Sequence, residues 1–259
     1  MTPAVIMDNV SKRYTFQSYH PSLRHEAGQM VKRLLGRTLQ ASWEEASFSS
    51  LQGVSFSLNP GDTLGIIGEN GAGKTTLLRL LSGITEPTEG KITVNGKFAP
   101  FIGLGAGFDY ERTGKENIYL NAAILGAHPK QVKTLLDEIL DFAELGDFID
   151  RPVKIYSSGM IARLGFSIAF ALMPDIVFLD EVFSVGDIGF QNRSMERILA
   201  FREKKTTLVF VSHSMSAVRK LCQRTIWLER GRVKMDGDTE DVVDAYERAK
   251  VTPAVIEAE

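Results

Sequence analysis

Gly68-Glu69-Asn70-Gly71-Ala72-Gly73-Lys74-Thr75 matches the pattern G-x-x-x-x-G-K-T. The octet follows an apolar segment, residues 63–67, that predicts a strand, and it precedes a helix-like run, residues 75–81. In this context the backbone N–H groups of a glycine-rich loop point at an anion that is held at the positive end of the helix. The stretch therefore predicts a phosphate-binding loop at the end of a strand in an α/β fold.

The residue types in this loop suggest separate roles. The flexible, positively charged Lys74 would reach the β- and γ-phosphates of a nucleotide, and the Thr75 hydroxyl would bind Mg²⁺. The alternative, a glycine-rich turn with a chance Gly-Lys-Thr, is disfavoured because both flanks fit the motif. The predicted nucleotide-binding residues of the loop are Gly68, Asn70, Gly71, Ala72, Gly73, Lys74, Thr75 and Thr76.

Composition and length indicate an ordinary soluble globular protein. The chain has 259 residues, of which 44% are hydrophobic and 24% charged, and this length favours one main domain with an inserted lobe. The net charge of −2 and the pI of about 6.1 provide no global attraction to nucleic acid, so no such partner is expected. The only cysteine, Cys222, lies on an apolar helical stripe and predicts core packing in a reducing compartment.

The order of elements predicts an α/β fold. Helix-like runs between the later strands indicate a largely parallel sheet, whereas early strands joined without helices indicate an antiparallel patch. We expect a sheet core over residues 1–111 and 173–249, a helical lobe over 112–172 and a tail over 250–259. The predicted strands lie near residues 4–8, 54–58, 63–67, 91–95, 175–179, 206–211, 225–229 and 232–236.

Residues 15–50 separate two early strands by more than a hairpin needs, which predicts an insertion. Apolar residues from Leu23 to Leu35 fall on one face of a helix, with basic residues around them. Such a helix could lie at a membrane surface or against a partner, or it could be an ordinary surface helix docked on its own sheet. The start of the chain lacks a signal-peptide pattern and no apolar stretch is long enough to span a bilayer, so we expect the chain to stay in the cytoplasm.

Two carboxylates follow the predicted buried strand near residues 176–179. Asp180 is the candidate ligand for Mg²⁺, and Glu181 could polarise the water that attacks the γ-phosphorus. A plain strand end with two solvated acids is the alternative, which the phosphate-binding loop upstream disfavours.

Residues 156–160, Tyr-Ser-Ser-Gly-Met, open an apolar helical run and resemble the L-S-G-G-Q signature motif of ABC-type ATPases. Ser157 and Gly159 match the motif, while Ser158 and Met160 replace its first glycine and its glutamine. The resemblance extends over about residues 4–249. It implies a P-loop NTPase core of the RecA-like type, ATP and Mg²⁺ as cofactors, ATP hydrolysis, and nucleotide contacts from the signature residues Ser157, Ser158 and Gly159.

The same resemblance implies three further site residues. Tyr14 would stack on the adenine, although Phe16 or Tyr19 could serve and Tyr14 could be a core aromatic. Asp187 would end the D-loop, residues 184–187. His213 would be the switch histidine that supports catalysis, against the alternative of a structural histidine after a strand.

The resemblance also implies partners. In ABC ATPases the signature of one subunit closes over the γ-phosphate that the other subunit holds, so one chain with one copy of each motif implies a second copy of itself or a relative. Four segments are similar in sequence to the ATP-binding subunits of O-antigen, capsule and teichoic acid exporters. They are residues 156–160, 103–108, 113–118 and 180–187. This implies a polytopic transmembrane permease as partner, a lipid-linked polysaccharide handled indirectly, and a peripheral location on the cytoplasmic face of the membrane.

The sequence departs from the family pattern at one segment, and it leaves two alternative functions. Residues 101–108 offer only glycines and apolar side chains where most ABC ATPases have a glutamine between sheet and lobe, and these glycines could form a hinge or a surface against the permease. An importer ATPase, or a soluble ABC ATPase that acts on DNA or ribosomes, remains an alternative. A GTPase is disfavoured because no Asn-Lys-x-Asp motif occurs.

Overall fold

Nine strands form two sheets in the part of the chain that the computed structural model describes, residues 2–18, 44–101, 105, 107–180 and 187–251. The strands are β1 Val5–Ser18, β2 Glu44–Leu58, β3 Thr63–Ile67, β4 Glu89–Val94, β5 Phe98–Phe101, β6 Ile176–Leu179, β7 Thr207–Val211, β8 Arg224–Glu229 and β9 Arg232–Asp238. The helices are α1 Lys74–Leu81, α2 Gly114–Ile124, α3 Pro129–Ala143, α4 Ser158–Leu172, α5 Ile188–Glu203, α6 Met215–Leu221 and α7 Thr239–Val251.

The larger sheet has the strand order β5-β6-β7-β3-β8-β9. Its first five strands in that order run parallel, and β9 pairs antiparallel with β8. The strands β3, β6 and β7 are buried along their whole length, as expected of a parallel sheet that is covered on both faces. The predicted α/β fold with a largely parallel sheet is therefore confirmed.

Strand β5, Phe98–Phe101, is absent from the strands predicted above. It is only four residues long and contains Pro100, which cannot donate a hydrogen bond to a neighbouring strand. The structure places β5 at the edge of the sheet, where it pairs only with β6. A proline is tolerated at such an edge, so a short proline-containing segment can be a strand without showing the usual pattern.

The smaller sheet is antiparallel, with the order β2-β1-β4. Its pairing runs from Val5 opposite Leu58 to Ser18 opposite Glu44, with β-bulges between. Residues 15–18 and 44–50, which we predicted as parts of the insertion, therefore belong to strands. Backbone pairing stabilises these strand ends although they lack an apolar pattern of their own. The predicted basic helix and Tyr19 lie outside the described residues.

Residues 114–172 contain α2, α3, α4 and two short 3₁₀ helices, Gly146–Asp150 and Val153–Ile155. Helix α2 begins with a capping box, in which Thr113 and Glu116 each satisfy the other's backbone N–H group. A separate apolar core holds these helices together, with buried residues such as Ile118, Ile139 and Leu164. This core fixes the start of α4, where the signature residues lie.

The parallel sheet has one apolar cluster on each face. One cluster joins it to α1 and to the antiparallel sheet, and the other packs α4, α5, α6 and α7 against the opposite face. Cys222 belongs to the second cluster, is only 5% exposed and follows α6, as predicted from its apolar stripe. Across residues 2–18, 44–101, 105, 107–180 and 187–251, no helix has the length and apolar character that crossing a membrane requires.

Candidate nucleotide-binding site

The predicted phosphate-binding loop connects the end of β3 to the start of α1. Gly73, immediately before α1, has φ of 106°, a conformation that side chains with a Cβ rarely adopt. A Cβ there would lie 2.6 Å from the carbonyl oxygen of Ser50. The loop therefore packs closely against β2. A glycine-rich loop before a helix is the type of backbone that can bind an anion through its N–H groups.

The matched substitutions Gly73→Ala and Gly71→Ala test this close packing. Gly71 has φ of 79° but no atom within 4 Å of the position where a Cβ would lie. We expect Gly73→Ala to lower the free energy of unfolding by about 3 kcal/mol, because backbone strain and overlap add, and Gly71→Ala by about 1 kcal/mol from strain alone. Urea denaturation measures both, and equal losses would contradict the packing argument.

Lys74 begins α1, and its side chain folds back along the loop. The residue is only 7% exposed, and its ammonium group donates hydrogen bonds to the carbonyl oxygens of Gly68 at 2.7 Å and Glu69 at 2.9 Å. A buried charge needs such partners to offset its lost hydration. The loop thus holds a positive charge in its interior, where phosphate oxygens could take over as acceptors.

The ends of three neighbouring parallel strands bring the predicted site together. Asp180 directly follows β6, His213 follows β7 by two residues, and the phosphate-binding loop follows β3. Because these strands are adjacent and parallel, their carboxyl ends meet at one edge of the sheet, where ligands bind in open α/β folds. They border a cavity of about 450 Å³. The predicted residues that line it are Tyr14, Asn70, Gly71, Gly73, Lys74, Thr75, Thr76, Asp180 and His213.

An aromatic pair forms part of the same cavity. Tyr14 on β1 lies opposite Phe48 on β2, and both side chains line the cavity. Phe48 is 53% exposed although it is large and apolar, so a planar base could contact its ring. The sequence analysis missed Phe48, because its pairing with Tyr14 depends on a register across residues 19–43.

Three further residues of the cavity were also missed, Ser50, Arg79 and Val211. The Ser50 hydroxyl lies 2.7 Å from that of Thr76, which ties β2 to α1 beside the loop. Arg79 lies on α1 four residues after Thr75 and adds a second cationic side chain to the wall. Helical spacing from the loop is the signal that could have indicated Arg79.

The oxygen donors in this cavity fit Mg²⁺. The Thr75 hydroxyl and the Asp180 carboxylate are both in its wall. Mg²⁺ usually keeps several waters and takes one or two protein oxygens together with phosphate oxygens. No cluster of three or more His, Cys, Asp or Glu residues suited to a metal occurs in the described part of the chain.

The signature residues Ser157, Ser158 and Gly159 are not in the wall of this cavity. Ser157 caps the N-terminus of α4, where its hydroxyl accepts a hydrogen bond from Met160 N at 3.2 Å, and Ser157 and Ser158 are exposed. The buried Tyr156 anchors the motif by donating a hydrogen bond to Phe148 O at 2.5 Å, and burial raises the pKa of its hydroxyl. The start of α4 is therefore exposed and lies apart from the cavity wall, and its N–H groups could bind an anion there.

Four other predicted residues lie away from the cavity wall or outside the described residues. The Gly68 carbonyl oxygen accepts a hydrogen bond from Lys74, and Ala72 lines a second cavity, which Trp227 also borders. Asp187 precedes α5 and contacts α4 instead of the cavity. Glu181 lies outside the described residues, as does the rest of the segment 181–186.

Comparisons with known proteins agree with this geometry. The family model described as "ABC transporter" matches residues 51–184, slightly more than half of the chain. An O-antigen export system ATP-binding protein, RfbB of Klebsiella pneumoniae, is 40% identical over 96% of this chain and 99% of its own length. The teichoic acids export ATP-binding protein TagH of Enterococcus faecalis is 45% identical over 77% of this chain, which spans 44% of that relative.

Solved structures share the fold. An ATP-binding subunit of an ABC transporter superimposes with a TM-score of 0.71 at 22% identity, covering 94% of this chain and 93% of that one. A dimeric post-hydrolysis ATP-binding cassette bound to ADP and phosphate has a TM-score of 0.68 at 20% identity, covering 91% of this chain and 98% of that one. With the family match and the end-to-end relative, these findings show that the chain belongs to the ABC transporter family, as an ATP-binding and ATP-hydrolysing subunit.

Proposed function

We propose that this chain powers the export of a lipid-linked polysaccharide, such as O-antigen, capsule or teichoic acid, across the cell membrane. The observation that carries the proposal is the relative from Klebsiella pneumoniae, named for O-antigen export, which aligns over 96% of this chain and 99% of its own length. Nearly every part of that relative therefore has a counterpart here. Relatives named for teichoic acid export support the same class of substrate.

Two copies of the chain would form two complete ATP sites. The cavity beside Lys74 and the exposed signature at Ser157 are separate parts of one chain, so each offers half of a site. ATP bound at the phosphate loop of one copy would accept hydrogen bonds from the N–H groups and the serine hydroxyl of the other copy's signature. Asp187 would approach the same interface. The triphosphate would hold the two copies together, and hydrolysis would release them.

Within each site the residues have distinct proposed roles. Thr75 and Asp180 would hold Mg²⁺, which when bound neutralises charge on the β- and γ-phosphate oxygens. Lys74 and the backbone N–H groups of the loop bind the phosphates, and the aromatic pair Tyr14 and Phe48 stacks on the adenine. Glu181 accepts a proton from the attacking water, and His213 supports the γ-phosphate from the end of β7.

A membrane permease would dock at the junction of sheet and lobe. Gly105 and Gly107 have φ of 91° and 90°, and side chains of the helices α4 and α2 lie close to them. A Cβ on Gly105 would overlap the side chain of Ile161, and a Cβ on Gly107 would lie 2.9 Å from the side chain of Ile124. Ile124 is 61% exposed, so it offers an apolar surface beside these glycines. We place the chain at the cytoplasmic face of the membrane through this contact.

Co-purification from cells tests the proposed function. We expect the chain to bring down a polytopic membrane subunit that stimulates ATP hydrolysis, and deletion of the gene to leave lipid-linked polysaccharide at the cytoplasmic face. Ile124→Asp should abolish the co-purification, whereas Ile84→Asp, at a comparably exposed isoleucine that follows α1, should retain it. Recovery with ribosomes or DNA, or a requirement for a solute-binding protein, would contradict the export function.

A further inference from the structure

Arg163 joins three elements of the fold. It lies on α4, six residues after Ser157, and its side chain is only 19% exposed. Its guanidinium group contacts the carboxylate of Glu144 at the end of α3, with Nη1 to Oε2 at 3.5 Å, and forms an ion pair with the carboxylate of Asp187. The same group lies over the ring of Phe190 on α5, 5.3 Å from its centroid. A planar guanidinium can serve all three partners at once, which a lysine ammonium cannot.

Asp187 is the first described residue after the segment 181–186. One of its oxygens, Oδ1, accepts a hydrogen bond from Phe190 N at 2.9 Å and so caps α5, while Oδ2 accepts from Arg163. Both oxygens of the carboxylate are thus engaged. The pair fixes Asp187 to the helix that begins with the signature.

Glu144 makes this junction part of a wider contact between lobe and core. Its carboxylate also pairs with Arg193 on α5, with Nη2 to Oε2 at 2.6 Å. The hydrogen bond from Arg193 lowers the pKa of Glu144, so the carboxylate stays ionised as the shared acceptor of both arginines. A second pair, Arg197 with Glu138, joins α5 to α3 without contacting Asp187.

We infer that Arg163 is a positioning residue that couples the signature at the start of α4 to Asp187, so that both reach the nucleotide of a second copy together. A movement of α3 and α4 relative to the sheet would carry Asp187 with it through this guanidinium. Without Arg163, the signature and Asp187 would approach the second copy independently. The inference rests on the proposed ATP-bound dimer.

The experiment measures ATP-driven dimerisation in the full chain carrying Glu181→Gln, which should bind ATP without hydrolysing it. Arg163→Ala and Arg163→Lys should each weaken the dimer by about tenfold, because charge-assisted hydrogen bonds are lost. Binding of a fluorescent ATP analogue to the monomer should change by less than about twofold, because the phosphate loop is not touched. Arg197→Ala is the matched control, since it breaks an α5–α3 ion pair and leaves Asp187 in place. Its dimer should match the parent.

A double-mutant cycle completes the test. If Arg163 acts through Asp187, the two losses of dimer affinity should not add. The variant with both Arg163→Ala and Asp187→Ala should then form a dimer at least as tight as that of the single variant with the lower dimer affinity. Additive losses, an unchanged Arg163→Ala dimer, or an equal loss in Arg197→Ala would overturn the inference and leave the proposed function intact. If the chain that carries only Glu181→Gln stayed monomeric with ATP, the proposed ATP site between two copies would be wrong, and this inference would fail with it.

Discussion

Replacing Glu181 by glutamine is expected to slow ATP hydrolysis by about 10² to 10⁴-fold while ATP binding is retained. Glutamine has nearly the same shape as glutamate but cannot accept the proton of the attacking water. Glu181 directly follows Asp180, whose side chain lines the nucleotide cavity together with Lys74 and His213. The rate of phosphate release at saturating ATP measures the effect, and ATP affinity measured in parallel shows that binding is intact.

Glu203→Gln is the control for this substitution, because Glu203 is an exposed glutamate at the end of α5. We expect its rate of hydrolysis to equal that of the unmodified chain. Near-normal turnover in Glu181→Gln would reject Glu181 as the base. Comparable slowing in both variants would show that the loss comes from a general change in charge or folding.

Replacing Lys74 by alanine is expected to weaken ATP binding by about 10 to 100-fold, because charge-assisted hydrogen bonds to phosphate are lost. The substitution also removes the two hydrogen bonds that the ammonium donates to Gly68 O and Glu69 O. Titration calorimetry with ATP in the presence of Mg²⁺ measures the affinity.

Lys91→Ala serves as the control for Lys74→Ala, since Lys91 is an exposed lysine on β4 away from the nucleotide cavity. Thermal melting of both variants separates a loss of binding from a loss of folding. If Lys74→Ala bound ATP as tightly as the unmodified chain, its assignment to the phosphates would be wrong.

The parts of the site that depend on neighbouring residues could be predicted from the sequence. A strand, a glycine-rich loop and a helix that begins with Lys74 form a continuous unit, so local pattern alone identified it. Asp180 could also be placed, because it follows a buried strand downstream of the phosphate-binding loop. His213 was predicted only from the resemblance to ABC ATPases, since a histidine after a strand is by itself an ordinary structural residue. The alternation of strands and helices was sufficient for the fold class.

The parts that depend on distant pairing could not be predicted. Phe48 lines the cavity because the pairing of β1 with β2 sets it opposite Tyr14. Strand β5 forms because its backbone pairs with β6 at the edge of the sheet. The contacts of Arg163 with Glu144 and Asp187 join residues 19 and 24 positions away along the chain. Charged residues at such separations give no periodic signal, so their pairing appears only once the helices are packed.

The burial of Cys222 has a practical consequence for following this subunit in solution. The thiol is covered by the packing around α6, and it is the only cysteine of the chain, so maleimide dyes should leave the native protein unlabelled. A cysteine introduced at an exposed position such as Ile188, which is 76% exposed, would then carry a single fluorophore. Energy transfer between donor- and acceptor-labelled copies could report their approach in real time.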